Sequence, residues 1–529
     1  MKRTTQTKLI IYSSVFLTLF YNFSFFQNTL SVYSLEDNLG FLISMAFVIT
    51  FFMIFLFSLL SSKYTIKPIL IIIFLVSSLT SYFMNSYHVV IDESMIRNML
   101  QTNVKESLDL LSLKQTLYFM VFGVVPSVYI YKVEIERQAF KVEFLSKVKM
   151  IFLSLLIIAA SFFTYSKYYT SFAREHKPLR YSINPLFWIY SIGKYVNLTY
   201  NSSSLVVEPI GLDAKSVKSD DNRTKIVIMV VGEAARADHF SLNGYEKETN
   251  PLLAKENIFN FTNMYACGTS TAESVPCMFS KFDRADYSYK KGIRTQNVLD
   301  VLSHSNNVSV LWRDNNSDSK GVALRVLYED YKSAELNSIC TEGECRDVGM
   351  LVGLDAYVKE QKNKDVLIVL HQMGNHGPAY YKRYTKEFEK FQPVCTTNQL
   401  EQCSQEEISN AYDNAILYTD YFLQKTIDFL KNYNETHDTA MIYMSDHGES
   451  LGESGVYLHG LPYFMAPDAQ THIGAVMWFG EGMKGIVDVN SLEKRVDQRY
   501  TQDNLFHTLL GVFNVETQEY KREMDILKQ

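Results

Sequence analysis

Five stretches of this chain contain no Asp, Glu, Lys or Arg: Leu9–Leu35, Asn38–Ser62, Pro68–Ile91, Gln115–Tyr131 and Met150–Ser166. Each is apolar and long enough to cross a hydrocarbon core of about 30 Å as a helix. Buried core helices rarely repeat this pattern five times in succession. The first part of the chain is therefore expected to be an α-helical membrane domain of about five helices. A cleavable signal peptide at Leu9–Leu35 is disfavoured, because the run is long and lacks a small-residue cleavage site. The mean hydropathy of −0.06 averages this apolar part with a water-soluble remainder.

Loop charges set an orientation. Lys2, Arg3 and Lys8 precede the first run, Lys63 and Lys67 separate the second and third, and Lys132, Arg137, Lys141, Lys147 and Lys149 separate the fourth and fifth. The other two loops are acidic or mixed, with Glu36 and Asp37 in one and Asp92–Lys114 as the other. The positive-inside rule places the N-terminus in the cytoplasm and everything after Tyr168 outside. All six cysteines lie between Cys267 and Cys403, on that outer side. An even count there reads as disulfides. Six cysteines allow 15 pairings, of which short separations favour Cys267–Cys277, Cys340–Cys345 and Cys395–Cys403. Structural zinc is the competing reading, but the tight Cys-x-x-Cys spacing it usually needs is missing. The net charge of −6 argues against a general nucleic-acid binder.

The expected division is a membrane domain at 1–168, an interfacial linker at 169–222 and an outer, water-soluble domain at 223–529. Pro178 and Pro185 interrupt the linker, and Phe187, Trp188 and Tyr190 cluster beside Arg180 and Lys194. That mixture suits a segment at the membrane–water interface, and equally an ordinary packed connector. In the last part, Lys225–Val231, Val308–Trp312, Asp365–Leu370 and Ala440–Met444 read as short buried strands, with helical patterns such as Glu406–Leu430 between them. Such alternation predicts an α/β domain with a mostly parallel sheet.

Polar residues of unusual type follow three of those strands at once: Gly232-Glu233, the segment from His371 to His376, and Asp446-His447-Gly448-Glu449. In open α/β sheets the ligand site lies beyond the carboxyl ends of the strands. Glu233, His376, Asp446 and His447 are thus expected to converge, with His459 close behind. Carboxylates mixed with imidazoles suit a borderline ion such as Zn²⁺. After Glu233 comes a small-residue loop, Cys267-Gly-Thr-Ser-Thr271, entering an apolar run. A helix N-terminus there would favour phosphate, and a metal-activated Thr or Ser could attack phosphorus. Composition alone favours the plainer role, in which Thr269, Ser270 and Thr271 cap the helix.

Together these strings resemble the phosphoethanolamine transferases of the lipid A type, which include the mobile colistin-resistance enzymes, within the alkaline phosphatase/sulfatase superfamily. The resemblance is carried by Val230–Tyr245, Cys267–Ser280, Trp312–Gly321, Glu344–Asp355, Leu370–Tyr384 and Ser445–Gly460, and spans nearly the whole chain. It implies a sulfatase-like periplasmic catalytic domain on an inner-membrane anchor. It implies Thr271 as nucleophile and Glu233, Thr271, Asp446 and His447 as the primary zinc ligands, with one zinc ion or two. His376 and His459 match residues at the donor phosphate or a second zinc. Asn316 and Lys320 match groups near the substrate head group. Asn98, Thr102 and Glu106 match positions that handle the lipid substrate. The family's neighbouring cysteine pairs agree with the pairing above.

The implied reaction is ping-pong transfer of phosphoethanolamine from phosphatidylethanolamine, through Thr271, to a phosphate of lipid A. It would lower surface charge and polymyxin binding, and the chain is expected to act as a monomer. Glu273, two residues past Thr271, departs from many relatives by adding a charge; an effect on donor binding and a place in a second metal site both remain open for it. A sulfatase would need a C/S-x-P-x-R string, but Ser274-Val-Pro276 is followed by Cys277 and Met278. A phosphoglycerol transferase of the lipoteichoic-acid type fits the quoted strings poorly. A membrane sensor with a dead transferase domain would usually have lost a ligand or the nucleophile.

Overall fold

Charge-free runs become helices because lipid offers the backbone no partner outside its own segment. A computed structural model describes residues 3–60, 62–102, 104–136, 138–174, 176–200, 206–217, 223–341 and 343–528. Lys2 and Arg137, which contribute to the charge bias, lie outside the described residues. The chain divides into two compact units, Met1–Ile96 with Leu111–Asn197 and Arg97–Leu110 with Leu198–Gln529.

The first unit is helical: α1 (Gln6–Tyr21), α2 (Phe23–Leu30), α3 (Leu35–Leu60), α4 (Ile66–Tyr87), α5 (Leu113–Lys132), α6 (Phe140–Thr164) and α7 (Leu186–Tyr200). Four of these, α3 to α6, are individually long and apolar enough to span a membrane. The first charge-free run is not one straight span but the pair α1 and α2, bent by 55°. The bend falls at Asn22, whose side chain donates to the carbonyls of Leu17 at 3.0 Å and Asn184 at 2.7 Å and accepts from the Asn184 N–H at 2.9 Å. A short amide that binds backbone groups competes with the helix ladder. Helix α6 begins ahead of its charge-free run, taking in Lys141, Glu143, Lys147 and Lys149. Trp188 of α7 is buried and donates to Ser77 Oγ at 3.2 Å, so this part of the connector packs into the helical unit. Small hydroxyl residues, including Ser13, Ser14, Thr18, Ser77 and Ser81, are buried between the helices, as close helix approach in lipid favours.

Within α5, Phe119–Val124 forms a single π-helical turn. Pro126 has no N–H, so the Phe122 carbonyl four residues earlier loses its helical donor. The Tyr21 hydroxyl of α1 donates to that carbonyl instead.

The second unit carries a seven-stranded sheet. Its strands are β1 (Thr224–Gly232), β2 (Ile258–Asn260), β3 (Val308–Asp314), β4 (Leu327–Asp330), β5 (Asp365–His371), β6 (His437–Ser445) and β7 (Ala475–Phe479). The order is β2-β7-β6-β1-β5-β3-β4; β7 is antiparallel to both its neighbours and the other pairs are parallel. Alternate residues of β1 face opposite layers: Val227, Met229 and Val231 join one apolar cluster, Ile226, Ile228 and Val230 the other. Both faces are covered, which is why these strands read as unbroken apolar runs. Helix α8 (Thr271–Met278) packs on the first face. Helix α9 (Gln405–Lys431) packs on the second and starts with a capping box between Ser404 and Glu407. The disulfides are Cys267–Cys277, Cys340–Cys345 and Cys395–Cys403, and no described cysteine is free.

Replacing Tyr21 with Phe should leave the Phe122 carbonyl unpaired among apolar side chains, at a cost of about 1–3 kcal/mol. Thermal unfolding of the purified protein in detergent measures this as a lowered midpoint.

Candidate active site

Because β1, β5, β3 and β6 run parallel, their carboxyl ends share one edge of the sheet. Ser445 lies opposite Gly232, His371 opposite Val231 and Asp314 opposite His371. The residues that follow are thus delivered side by side. Glu233 leaves β1 and is followed by Ala234, whose φ of 55° is left-handed. That costly turn is held from both sides: the Ala234 N–H donates to Asp446 Oδ1 at 3.1 Å, and its carbonyl accepts from the Tyr412 hydroxyl at 2.6 Å.

Glu233, Asp446 and His447 form a fully buried cluster whose ligand atoms lie within 4.8 Å of one another. His447 Nε2 is 3.4 Å from Glu233 Oε1 and 3.4 Å from Asp446 Oδ2. The Gly448 carbonyl lies 2.8 Å from His447 Nδ1. That bond places the ring proton on Nδ1 and turns the Nε2 lone pair toward the carboxylates, as a metal-binding imidazole requires. Burial pushes the His447 pKa down, although Asp446 opposes the shift. Asp446 Oδ2 is buried and accepts no hydrogen bond from the described residues. Two buried carboxylates at one point are expensive unless a cation joins them, so oxygen and imidazole donors here fit a divalent ion.

Thr271 is the first residue of α8. Its Oγ1 donates to Glu233 Oε2 at 3.1 Å and lies 3.4 Å from His447 Nε2. The capping role favoured by composition is not realised. Ser270 is the N-cap but makes no side-chain cap bond, and Thr269 Oγ1 donates to the Leu461 carbonyl at 2.6 Å. Gly268 lets the loop close on the helix, since a Cβ there would stand 2.8 Å from the Ser274 nitrogen. Glu273 pairs with Arg284 at 2.8 Å, and that guanidinium lies over the Tyr463 ring at 3.9 Å.

The histidines gather at the same point. The His447 and His459 ring centroids are 4.2 Å apart, and those of His376 and His459 are 5.8 Å apart. Burial, followed by the charge of Arg383, holds the His376 pKa well below its ordinary value. His459 Nδ1 is 2.7 Å from Glu449 Oε2, and Tyr380 donates to the other oxygen of Glu449 at 2.7 Å. Asn316 reaches the cluster, donating to Glu233 Oε2 at 2.8 Å. Lys320 instead donates to Ser317 Oγ at 2.6 Å and to the Gln101 carbonyl at 3.2 Å. Asn98 and Thr102 belong with that same segment, where Thr102 Oγ1 donates to the Asn98 carbonyl at 2.7 Å. The side chain of Glu106 lies outside the described residues.

Three supporting residues are not among the site candidates that the sequence offers. Gln502 donates to the carbonyls of Ser445 at 2.7 Å and Asp446 at 2.9 Å, and accepts from Ser274 Oγ at 2.7 Å, tying β6 to α8. Arg383 donates to the His376 carbonyl at 2.8 Å, to Glu344 at 3.1 Å and to Asp109 at 2.8 Å. Asp109 also accepts from Lys382 at 2.5 Å. Burial alone would raise the Asp109 carboxyl, but Arg383 and Lys382 hold it below its ordinary value. Residues 97–110 are thus fastened to the loop that carries His376.

A family model described as sulfatase matches residues 225–515, and one described as phosphoethanolamine transferase EptA/EptB matches 49–200. The phosphatidylethanolamine transferase Mcr-2 of Escherichia coli is 43% identical, covering 96% of this chain and 95% of its own. The chain belongs to the phosphoethanolamine transferase family. The transferase EptA of Escherichia coli K12 is 36% identical over 98% of this chain and 96% of its own. The integral membrane EptA structure from Neisseria meningitidis superposes with a TM-score of 0.95 at 34% identity, covering 100% of this chain and 99% of that one. The chain is therefore a membrane-embedded transferase with a sulfatase-like α/β domain.

Replacing Asp109 with Asn keeps the shape and removes the charge. Because a charged hydrogen bond contributes about 1.5–3 kcal/mol, amide exchange in residues 97–110 should speed up by roughly tenfold to a hundredfold. Hydrogen-exchange mass spectrometry checks this, with exchange in β1 and β6 unchanged.

Proposed function

We propose that this transferase moves phosphoethanolamine from phosphatidylethanolamine to a phosphate of lipid A, with Thr271 as nucleophile and Glu233, Asp446 and His447, together with Thr271, holding zinc. The observation that carries the reading is the Thr271 hydroxyl within hydrogen-bond reach of both Glu233 and His447. Bound zinc, one ion or two, would lower the pKa of that hydroxyl and offset the charge of the carboxylates. The hydroxyl proton leaves along its bond to Glu233. The Thr271 oxygen bonds to phosphorus, the phosphorus–oxygen bond to diacylglycerol breaks, and His459 protonates the leaving oxygen. Glu449 holds Nδ1 of His459, so this chemistry runs through Nε2. His376 faces the phosphoryl oxygens as developing charge gathers there. A lipid A phosphate oxygen then bonds to phosphorus as the phosphorus–Thr271 bond breaks; the proton held by Glu233 returns to Thr271, and His459 takes up the proton that the lipid A phosphate gives up.

Asn316 and Lys320 are assigned to the head group, and Asn98, Thr102 and Glu106 to handling of the lipid substrate. Both substrates are membrane lipids, so a site tethered at the outer face of the inner membrane, in the periplasm, meets them at high effective concentration. The product carries an added ammonium beside its phosphate. Polymyxins are polycations, so their Coulomb attraction to the modified surface falls. The enzyme acts as a monomer.

The test is intact-mass measurement of the purified protein mixed with phosphatidylethanolamine alone. The parent should gain one phosphoethanolamine, located on Thr271 by peptide fragmentation. Thr271→Ala should gain none and lose transfer by on the order of a thousandfold or more. An adduct on another residue, or full transfer by Thr271→Ala, overturns the reading. Elemental analysis should find zinc in the parent and much less in Asp446→Asn.

A further inference from the structure

A cavity of about 630 Å³ opens in the helical unit between α1, α4 and α5. That volume lies within the range of small-molecule sites. Leu9, Phe16, Phe74, Val121, Val125 and Ile130 wall it, and Arg3 and Lys8 stand among its lining residues at one end. The cavity belongs to no part of the transfer chemistry.

Its shape follows from the backbone. Val121 comes from the π-helical turn of α5, and Val125 and Pro126 from the helical stretch directly after it. Such turns occur often at functional sites. The basic end is also built. Arg3 and Thr4 pair as a short strand with Glu134 and Ile135, and the Glu136 N–H donates to the Thr4 carbonyl at 2.9 Å. Arg3 is thereby held at the mouth. Thr5 caps α1, whose sixteen residues direct the positive end of their dipole to the same place. Glu134 lies 3.4 Å from Arg3, but this pair is exposed and screened. A guanidinium has donors enough for a carboxylate and a phosphate together. No described hydrogen bond or ion pair engages the Lys8 ammonium.

We infer that this cavity binds an anionic glycerophospholipid of the surrounding bilayer, with its phosphodiester at Arg3 and Lys8 and an acyl chain along the apolar walls. Anionic lipids suit basic pockets between membrane helices. A zwitterionic head group would bring an ammonium toward two cations, which disfavours phosphatidylethanolamine here. The lipid bound at this end is neither donor nor acceptor.

The experiment is native mass spectrometry of the full-length protein with an equimolar mixture of phosphatidylglycerol and phosphatidylethanolamine of matched chains. The parent should retain phosphatidylglycerol in excess by about tenfold. Lys8→Glu should remove that preference. Lys149→Glu makes the same charge change on α6 away from the cavity and should keep it. Val125→Phe fills the cavity without changing charge and should lower retention of both lipids. If Lys8→Glu fails to fold, Lys8→Gln serves the same comparison. Equal retention of the two lipids by the parent overturns the inference. So does a loss in Lys149→Glu as large as that in the Lys8 variant.

Discussion

Two carboxylates, Glu233 and Asp446, are buried side by side against the His447 imidazole. The rest of the catalytic unit can be understood as the cost of keeping them there. The parallel pairing of β1 and β6 fixes their approach, since Ser445 is in register with Gly232. The left-handed turn at Ala234 aims the chain, and Asp446 Oδ1 is used up on the amides of Ala234 and His447. Oδ2 is left facing the imidazole. Carboxylate and imidazole donors held this close suit a divalent cation.

The Thr271 hydroxyl is positioned by a different part of the fold. Thr271 begins a helix of eight residues whose preceding loop is closed by the Cys267–Cys277 bond and whose fourth residue, Ser274, is tied to Gln502. Gln502 in turn holds the backbone of Asp446. One buried amide side chain thus connects the hydroxyl's helix to the carboxylate's strand. Glu449 and Tyr380 do the same for His459. Arg383 extends the arrangement to residues 97–110, which lie between charge-free runs in sequence but pack with the catalytic unit.

Much of this was legible in the sequence. Charge-free runs mark membrane helices because charge in lipid is costly, and strand ends followed at once by Glu, Asp and His mark a site at the edge of a parallel sheet. The short cysteine separations were also informative. Other features depend on partners far away in the chain. The bend at Asn22 needs Asn184, and the π-helical turn of α5 is completed by Tyr21, a hundred residues earlier in rough terms. Ser270 and Thr271 looked like caps because small hydroxyl residues usually are; only the position of Glu233 shows where the Thr271 hydroxyl goes. Gln502 carries no local signal, since a lone glutamine has no pattern to stand out from.

We propose that the Thr271 hydroxyl, set against buried carboxylates, carries phosphoethanolamine to lipid A. Mass spectrometry of lipid A from a polymyxin-sensitive Gram-negative host tests it most directly. Lipid A from cells expressing the parent should carry a phosphoethanolamine increment, and lipid A from cells with equal amounts of Thr271→Ala should not. An unmodified lipid A in both, with both proteins present in the membrane, would contradict the acceptor; an increment in both would contradict the nucleophile.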